Sequence, residues 1–308
     1  MPEAGRLPRS PCKRQEKKEV VMSVRKSGMV IFTAILALLI ALAAVGCGGS
    51  EKQAEEPKEE KPELSGTLNL SGSTTVLPLA QEAAEIFMDE NPEVTVNVQG
   101  GGSSVGISNV AEGVVDIGNS SRDLKDEEKD KGLVDHKIAL DVIAVIVHKE
   151  VPVDDLSKEQ VFNIFTGKVK NWKEVGGPDK PIVVVVRDEA SGTREMFDEK
   201  ALKKEKPVAG AIECNSNGIV RQTVSSTPYS IGYISLGYLD SSVKALKYDG
   251  VAASKDNAVN KTYPLSRYLH MFTKGEATGL AKAFIDFVLS ERFQEEVVAK
   301  EYIPVTQI

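Results

Sequence analysis

Four strand-like runs in this chain end in turns of serine, threonine and glycine, and that repetition limits the fold more than any other feature. The clearest is Val183 to Phe197, VVVVRDEASGTREMF. Consecutive valines suit a strand covered on both faces, because branched side chains pack well on a pleated, buried surface. The run stops at Arg187, passes through Ala190-Ser191-Gly192-Thr193, and opens a helix at Arg194-Glu195-Met196-Phe197. A strand feeding a helix in this way gathers free backbone N–H groups, two hydroxyls and the positive end of a helix dipole at one point, which suits an anion. Arg187 and Arg194 flank the turn and can add charge-assisted hydrogen bonds. A plain turn with Ser191 as N-cap would read the same locally, so the anion reading draws its weight from recurrence.

The recurrence lies in the first half of the chain. Thr67-Leu68-Asn69-Leu70 reads as a short strand ending in Ser71-Gly72-Ser73-Thr74-Thr75-Val76, followed by a helix from Pro78 to Asp89 with Leu79, Ala83, Ile86 and Phe87 on one face. Pro78 fits a first helical turn, and Asn91-Pro92 ends the helix. Val94 to Val98 alternates as a second strand and runs into Gln99-Gly100-Gly101-Gly102-Ser103-Ser104, whose glycines let backbone approach a ligand closely. A helix over Val105–Glu112 and a strand over Val114–Ile117 follow, the latter ending in Gly118-Asn119-Ser120-Ser121-Arg122-Asp123. The β-α-β order predicts parallel strands with right-handed crossovers. In an open α/β sheet, ligands bind outside the carboxyl ends of the strands, where these turns would meet.

The second half repeats the grammar. Leu140 to His148 is a longer apolar run suited to crossing into a second domain. Leu156 to Phe165 reads as a helix, Pro181 to Val186 as the strand before the Ser191 turn, and Ile219 to Ser225 as a helix behind the polar turn Cys214-Asn215-Ser216-Asn217-Gly218, which is a weaker candidate for the cleft. Trp172, the single tryptophan, reads as a packing anchor, and Cys214 as a small buried hydrophobe. Ile231 to Ser235 is a strand, Tyr263 to Phe272 a return crossover, and Gly279–Leu289 and Glu291–Ala299 the last helices. Two crossings between two α/β lobes predict a hinge and a cleft that closes on a small ligand.

With 308 residues the chain is long enough for two domains with real cores. A net charge of −7 argues against nucleic acid as a partner, yet leaves room for a local anion pocket. Cys12, Cys47 and Cys214 have no metal-ligand spacing, and His136, His148 and His270 lie far apart in sequence, so no metal or cofactor is expected. Val30 to Val45 is apolar, follows Arg25-Lys26 and ends in Gly46-Cys47, the pattern of an export signal. It resembles a bacterial lipobox, with lipidation of Cys47 expected. Residues before Met22 do not fit a signal peptide, which makes Met22 the expected true start. Gly48 to Glu63 is a run of Glu, Lys, Pro and Gly without apolar periodicity and reads as a disordered tether.

Gly72-Ser73-Thr74-Thr75, Gly100 to Ser104, Asp116 to Arg122, Ile164 to Gly167 with Asn171-Trp172, and Ser191-Gly192-Thr193-Arg194 occur in order along the chain. Together they resemble the PstS-like substrate-binding lipoproteins of phosphate ABC transporters, from about Gly66 to the C-terminus. The resemblance implies an α/β, two-lobed type 2 periplasmic-binding-protein fold. Two open, mostly parallel sheets would be joined by two crossover strands, with the ligand in the inter-lobe cleft. Its boundaries would be an extension and signal peptide over 1–46, lipidated cysteine and tether over 47–65, one lobe over 66–141 plus 259–308, and a second over 142–258. It further implies a lipid-anchored, extracytoplasmic, monomeric protein that binds inorganic phosphate and partners a membrane permease. By position, phosphate contacts would fall on Thr74, Thr75, Val76, Ser103, Ser121, Arg122, Arg187, Ser191, Gly192 and Thr193. The family places an aspartate in the third turn to accept the proton of hydrogen phosphate. Ser121 stands there in this chain, so the acceptor would be sought among Asp116, Asp141, Asp188 and Glu189.

Other readings of the same residues are a related scaffold for sulfate, molybdate or tungstate, a sensory or adhesive lipoprotein, and a phosphohydrolase with Ser191 or another serine as nucleophile. The hydrolase reading lacks a Gly-x-Ser-x-Gly elbow and a metal-binding cluster in the sequence.

Overall fold

The computed structural model describes residues 64–308. The leader, the Met22 start, Cys47 and nearly all of the tether lie outside the described residues.

The chain opens with β1 (Gly66–Gly72), α1 (Leu77–Glu90), β2 (Val94–Gln99), α2 (Ser103–Glu112) and β3 (Ile117–Ser120). Strand β1 pairs in parallel with β2 on one side and β3 on the other, as the β-α-β pattern requires. A short helix α3 (Asp126–Lys129) leads to β4 (Leu133–Val147), a 15-residue strand. Next come β5 (Asp155–Leu156), α4 (Lys158–Phe165), β6 (Val183–Arg187), α5 (Gly192–Lys200), β7 (Ile212–Cys214), α6 (Asn217–Ser226) and β8 (Ser230–Ser235). The last part holds β9 (Lys244–Ala245), β10 (Lys247–Tyr248), β11 (Val251–Ala252), α7 (Lys255–Val259), β12 (Ser266–Lys274) and α8 (Gly279–Leu289).

The expected pair of separate, mostly parallel sheets is corrected by the pairing. One nine-stranded mixed sheet runs β2-β1-β3-β12-β4-β8-β6-β7, with β9 attached to β4; β11, β10 and β5 form a small second sheet. The cause is the length of β4. From Leu133 to Val142 it pairs antiparallel with β12, and from Ile143 to Val147 it pairs antiparallel with β8. The handover at Val142/Ile143 carries hydrogen bonding without a break from one set of parallel strands to the other. The two crossover segments foreseen in the sequence, Leu140–His148 and Tyr263–Phe272, are the central antiparallel strands of this sheet.

Two large apolar clusters flank the central pair. One gathers Leu68, Leu70, Leu79, Phe87, Ile117, Met271, Phe284 and Val298. The other gathers Val145, Phe165, Trp172, Val186, Phe197, Tyr233 and Tyr263. Trp172 is buried in the second, with its Nε1 donating to the Tyr229 carbonyl at 2.8 Å. Phe197 stacks on Tyr233 with ring centroids 4.0 Å apart, and the Tyr233 hydroxyl oxygen accepts from Arg187 N at 3.2 Å.

Several boundaries differ from the sequence pattern for local reasons. Helix α4 starts at Lys158, because Ser157 forms a capping box with Gln160 and leaves Leu156 to pair in β5. Strand β3 begins at Ile117 and extends to Ser120, since Gly113 ends α2 in a left-handed conformation and β12 pairs as far as Ser120. Helix α6 begins at Asn217, where Ser216 caps it. The expected final helix over Glu291–Ala299 is interrupted by a π-helical turn at Gln294–Val298. There the Gln294 side chain is buried and donates to the carbonyls of Ile138 and Val288.

Candidate functional site

The turns after β1, β2, β3 and β6 converge. Thr75 Oγ1 lies 3.0 Å from Thr193 Oγ1, and Ser103 Oγ lies 3.2 Å from Ser121 Oγ. Ser121 also donates its backbone N–H to Ser103 Oγ at 3.0 Å. All four side chains are buried. Gly192 sits against the serine pair so closely that a Cβ there would fall 2.4 Å from Ser103 Oγ and 2.9 Å from Ser121 Oγ. Gly102 has φ +97°, and a Cβ on it would meet the Ala190 carbonyl oxygen at 2.6 Å; Ser104 N donates to that same carbonyl at 3.2 Å. Four segments that are distant in sequence therefore meet within hydrogen-bonding range.

Each turn is built by its own residues. Ser73 Oγ accepts from the backbone N–H groups of Thr75 (3.1 Å) and Val76 (3.4 Å) at the start of α1. Tyr238 and Tyr302 donate their hydroxyls to the carbonyls of Thr74 and Thr75, at 2.6 and 2.8 Å. Ser191 is the N-cap of α5, its Oγ accepting from Arg194 N at 3.2 Å. The fifth polar turn belongs to the site as well: Asn217 Nδ2 donates to Thr75 Oγ1 at 2.9 Å.

The arginines divide into two kinds. Arg122 grips Glu128 through Nη1 (2.6 Å) and Nη2 (2.9 Å), also bonds Ser104 Oγ and the Asp123 carbonyl, and holds Nε 3.0 Å from Glu195. Lys125 joins Glu195 at 3.2 Å. Arg194 is likewise committed, to Asp198 at 2.9 Å and to the Arg187 carbonyl at 2.6 Å. Arg187 is different. Its Nε and Nη2 donate to the carbonyls of Cys214 and Asn215, while Nη1 is buried without a partner.

The sequence reading had no place for Arg267. It lies on β12 opposite Asp141 of β4, and both side chains are 1% exposed. Arg267 Nη2 reaches Asp141 Oδ2 at 2.9 Å, Thr193 Oγ1 at 2.9 Å and Thr75 Oγ1 at 3.3 Å. Its Nη1, too, has no partner. Ser235 Oγ donates to Asp141 Oδ1 at 2.6 Å. Burial pushes the Asp141 carboxyl above its ordinary range, against the pull of Arg267 and Ser235. Burial also lowers Arg267 and Arg187, and the charge of Arg267 lowers Arg187 further.

Of the other proposed acceptors, Asp116 accepts from Asn69 N at 2.8 Å, and Glu189 is exposed. Asp188 has a buried, unpartnered Oδ1 next to Arg187. Cys214 is buried among Ala144, Val185 and Val220. Among the described residues no group of histidine, cysteine, aspartate and glutamate could hold a metal ion.

Eight buried side-chain polar atoms lack a hydrogen-bond partner among the described residues, and seven of them sit in or beside these turns: Thr74 Oγ1, both amide atoms of Asn119, Arg122 Nε, Arg187 Nη1, Asp188 Oδ1 and Arg267 Nη1. Buried polar groups are nearly always satisfied. A concentration of orphans, most of them donors, at converging strand ends makes this the candidate binding site, one suited to a ligand that supplies acceptors.

Fold and site together define a class, and a PBP superfamily domain matches residues 57–292. The chain belongs to that superfamily and, within it, to the PstS family of phosphate-binding proteins. The phosphate-binding protein PstS of Bacillus subtilis (strain 168) is 43% identical over 292 residues, covering 92% of this chain and 96% of that protein. PstS of Pseudomonas aeruginosa is 33% identical, covering 78% and 84%. A phosphate ABC transporter substrate-binding protein from Clostridium perfringens, solved with bound phosphate, superposes with a TM-score of 0.76 at 45% identity. It covers 78% of this chain and is itself covered completely, 100%. An ABC-type phosphate transport receptor from Vibrio cholerae gives a TM-score of 0.66 at 36% identity, covering 77% and 99%.

The close seat of Gly192 yields a direct test. Gly192→Ala would overpack the serine pair and is expected to cost about 1–3 kcal/mol of stability in urea unfolding. Unchanged stability would mean that the turns stand apart in the anion-free protein.

Proposed function

We propose that this protein captures inorganic phosphate outside the cytoplasm and delivers it to an ABC transporter permease in the membrane. The observation that carries the reading is the convergence of hydroxyls, helix N-termini and unpartnered guanidinium N–H groups at buried strand ends. A tetrahedral oxyanion supplies acceptors in several directions at once, which is what such a donor set lacks. Thr75, Ser103, Ser121, Gly192 and Thr193 form the donor ring in this reading, with Thr74 and the backbone at Val76 and Ser191 around it. Arg187 supplies the charge. Arg122, whose Nη donors are already taken, acts from behind by holding the third turn against α5 through Glu128 and Glu195.

The protein is a binding protein, not an enzyme. Ser191, the conceivable nucleophile, spends its oxygen on capping α5. Two lobes are proposed, with residues 66–141 and 259–308 in one and 142–258 in the other; the first cluster falls wholly within the first lobe, while the second draws Leu140, Tyr263, Leu265 and Ile303 across the boundary. The cross-links Thr75–Thr193, Ser104–Ala190 and Arg122–Glu195 then join the two lobes around the anion site.

Each charge-assisted hydrogen bond is worth about 1.5–3 kcal/mol. Arg187→Ala is therefore expected to weaken phosphate binding by roughly one to two powers of ten in isothermal titration. An unchanged affinity would remove Arg187 from the site. In the same titrations sulfate and molybdate, offered in competition, set the anion preference; a preference for either over phosphate would reassign the cargo.

Upstream, the lipobox-like Gly46-Cys47 supports a lipid anchor and the Glu/Lys/Pro run a tether. Mass spectrometry of protein taken from cells should find a diacylated Cys47 as the first residue and no peptide preceding Met22. A mature chain that retains residues before Cys47 would contradict the anchor.

A further inference from the structure

Arg267 lies outside the donor ring described above, and the role assigned to it rests on the anion-binding reading. A guanidinium carries five N–H donors and no acceptor. On Arg267, Nε and Nη2 are spent on Asp141, Thr193 and Thr75, and Nη1 has no partner while the side chain is 1% exposed. Its Nη2 contacts lie on the two hydroxyls that join the turn after β1 to the turn after β6.

Thr75 Oγ1 accepts from Asn217 Nδ2 at 2.9 Å and from Arg267 Nη2 at 3.3 Å. Both of its lone pairs are then occupied, so its own proton goes to Thr193 Oγ1, 3.0 Å away. Thr193 Oγ1 accepts from Arg267 Nη2 at 2.9 Å. Thr193 thus accepts from both Arg267 and Thr75 and has its own proton left to give, and Arg267 contributes two more N–H groups of its own at the same point. Asp141, anchored by Ser235 Oγ, holds the guanidinium from the far side.

We infer that Arg267 is a second anion-binding guanidinium of the site, contributed by the return crossover strand, and that Asp141 is the positioning residue that aims it. Nη1 of Arg267 and Nη1 of Arg187 bind the oxyanion together, which turns two charges that disfavour each other when the site is unliganded into a clamp. A purely structural role for the pair would use the guanidinium on Asp141 and the two threonines alone.

The test is a double-mutant cycle in phosphate binding on the anion-stripped protein, with Arg267→Gln, Asp141→Asn and the two combined. Arg267→Gln is expected to weaken phosphate by roughly 10- to 100-fold. Asp141→Asn should cost less, and the combined variant should match Arg267→Gln within about twofold, because Asp141 acts only through Arg267. The melting temperature of the combined variant without anion should stay near that of the wild type, since a buried pair replaced on both sides is often neutral for stability. Two results overturn the inference: phosphate affinity of the combined variant within about twofold of wild type, or losses from the two single changes that simply add. Should a single variant fail to fold around its uncompensated charge, Arg267→Lys serves in its place. It keeps a cation against Asp141 but cannot span both threonines and the anion, so wild-type affinity in Arg267→Lys overturns the inference equally. Failure of the wild-type protein to bind phosphate at all would instead sink the proposed function.

Discussion

Two buried guanidiniums, each with an unused N–H end, are the constraint around which this structure is arranged. Burying cations is costly; Asp141 pairs directly with Arg267, whereas Arg187 has only the neighbouring Asp188, which makes no hydrogen bond to it. The remaining positive charge is tolerable because the surrounding groups, hydroxyls and helix N-termini, are organised to share an anion. The same demand explains the small residues nearby. Gly192 and Gly102 let backbone and serine oxygens approach to distances that any side chain would prevent.

The sheet topology makes this arrangement possible. Parallel strands β1, β3 and β6 each end in a turn that opens a helix or a capped loop, so all deliver their donors at carboxyl ends. The antiparallel pair β4–β12 joins the two parallel sets and brings Asp141 and Arg267 into register at the same level. A continuous sheet thereby fixes the distance between the guanidinium from β12 and the turns around it, while the links made by Glu195 and by the Ser104–Ala190 contact lie between separate segments.

Much of this was legible in the residues. Strand-turn-helix repetition identified the α/β class and the turns at Thr75, Ser103, Ser121 and Ser191, because hydroxyl and glycine chemistry is written locally. Arg267 was not legible: a single arginine inside the run Ser266–Phe272 carries no local mark, and its partners Thr75 and Asp141 are remote in sequence. Sheet continuity also escaped, since nothing in an apolar run reveals that one strand will pair with β12 along one part and β8 along the rest. Arg194 illustrates the opposite error. Its position beside the Ser-Gly-Thr turn suggested an anion contact, yet Asp198, four residues on along the same helix face, claims it. That spacing was visible in the sequence and was the available signal.

The central claim is that one tetrahedral anion sits where the turns after β1, β2, β3 and β6 meet. Arsenate, a heavy tetrahedral oxyanion, can be located by its anomalous scattering in crystals of the anion-stripped protein. The account predicts one dominant anomalous peak bounded by Thr75, Ser103, Ser121 and Thr193, in hydrogen-bonding range of Nη1 of both Arg187 and Arg267. A dominant peak elsewhere on the molecule, or one at this place with both Nη1 groups turned away, would contradict it.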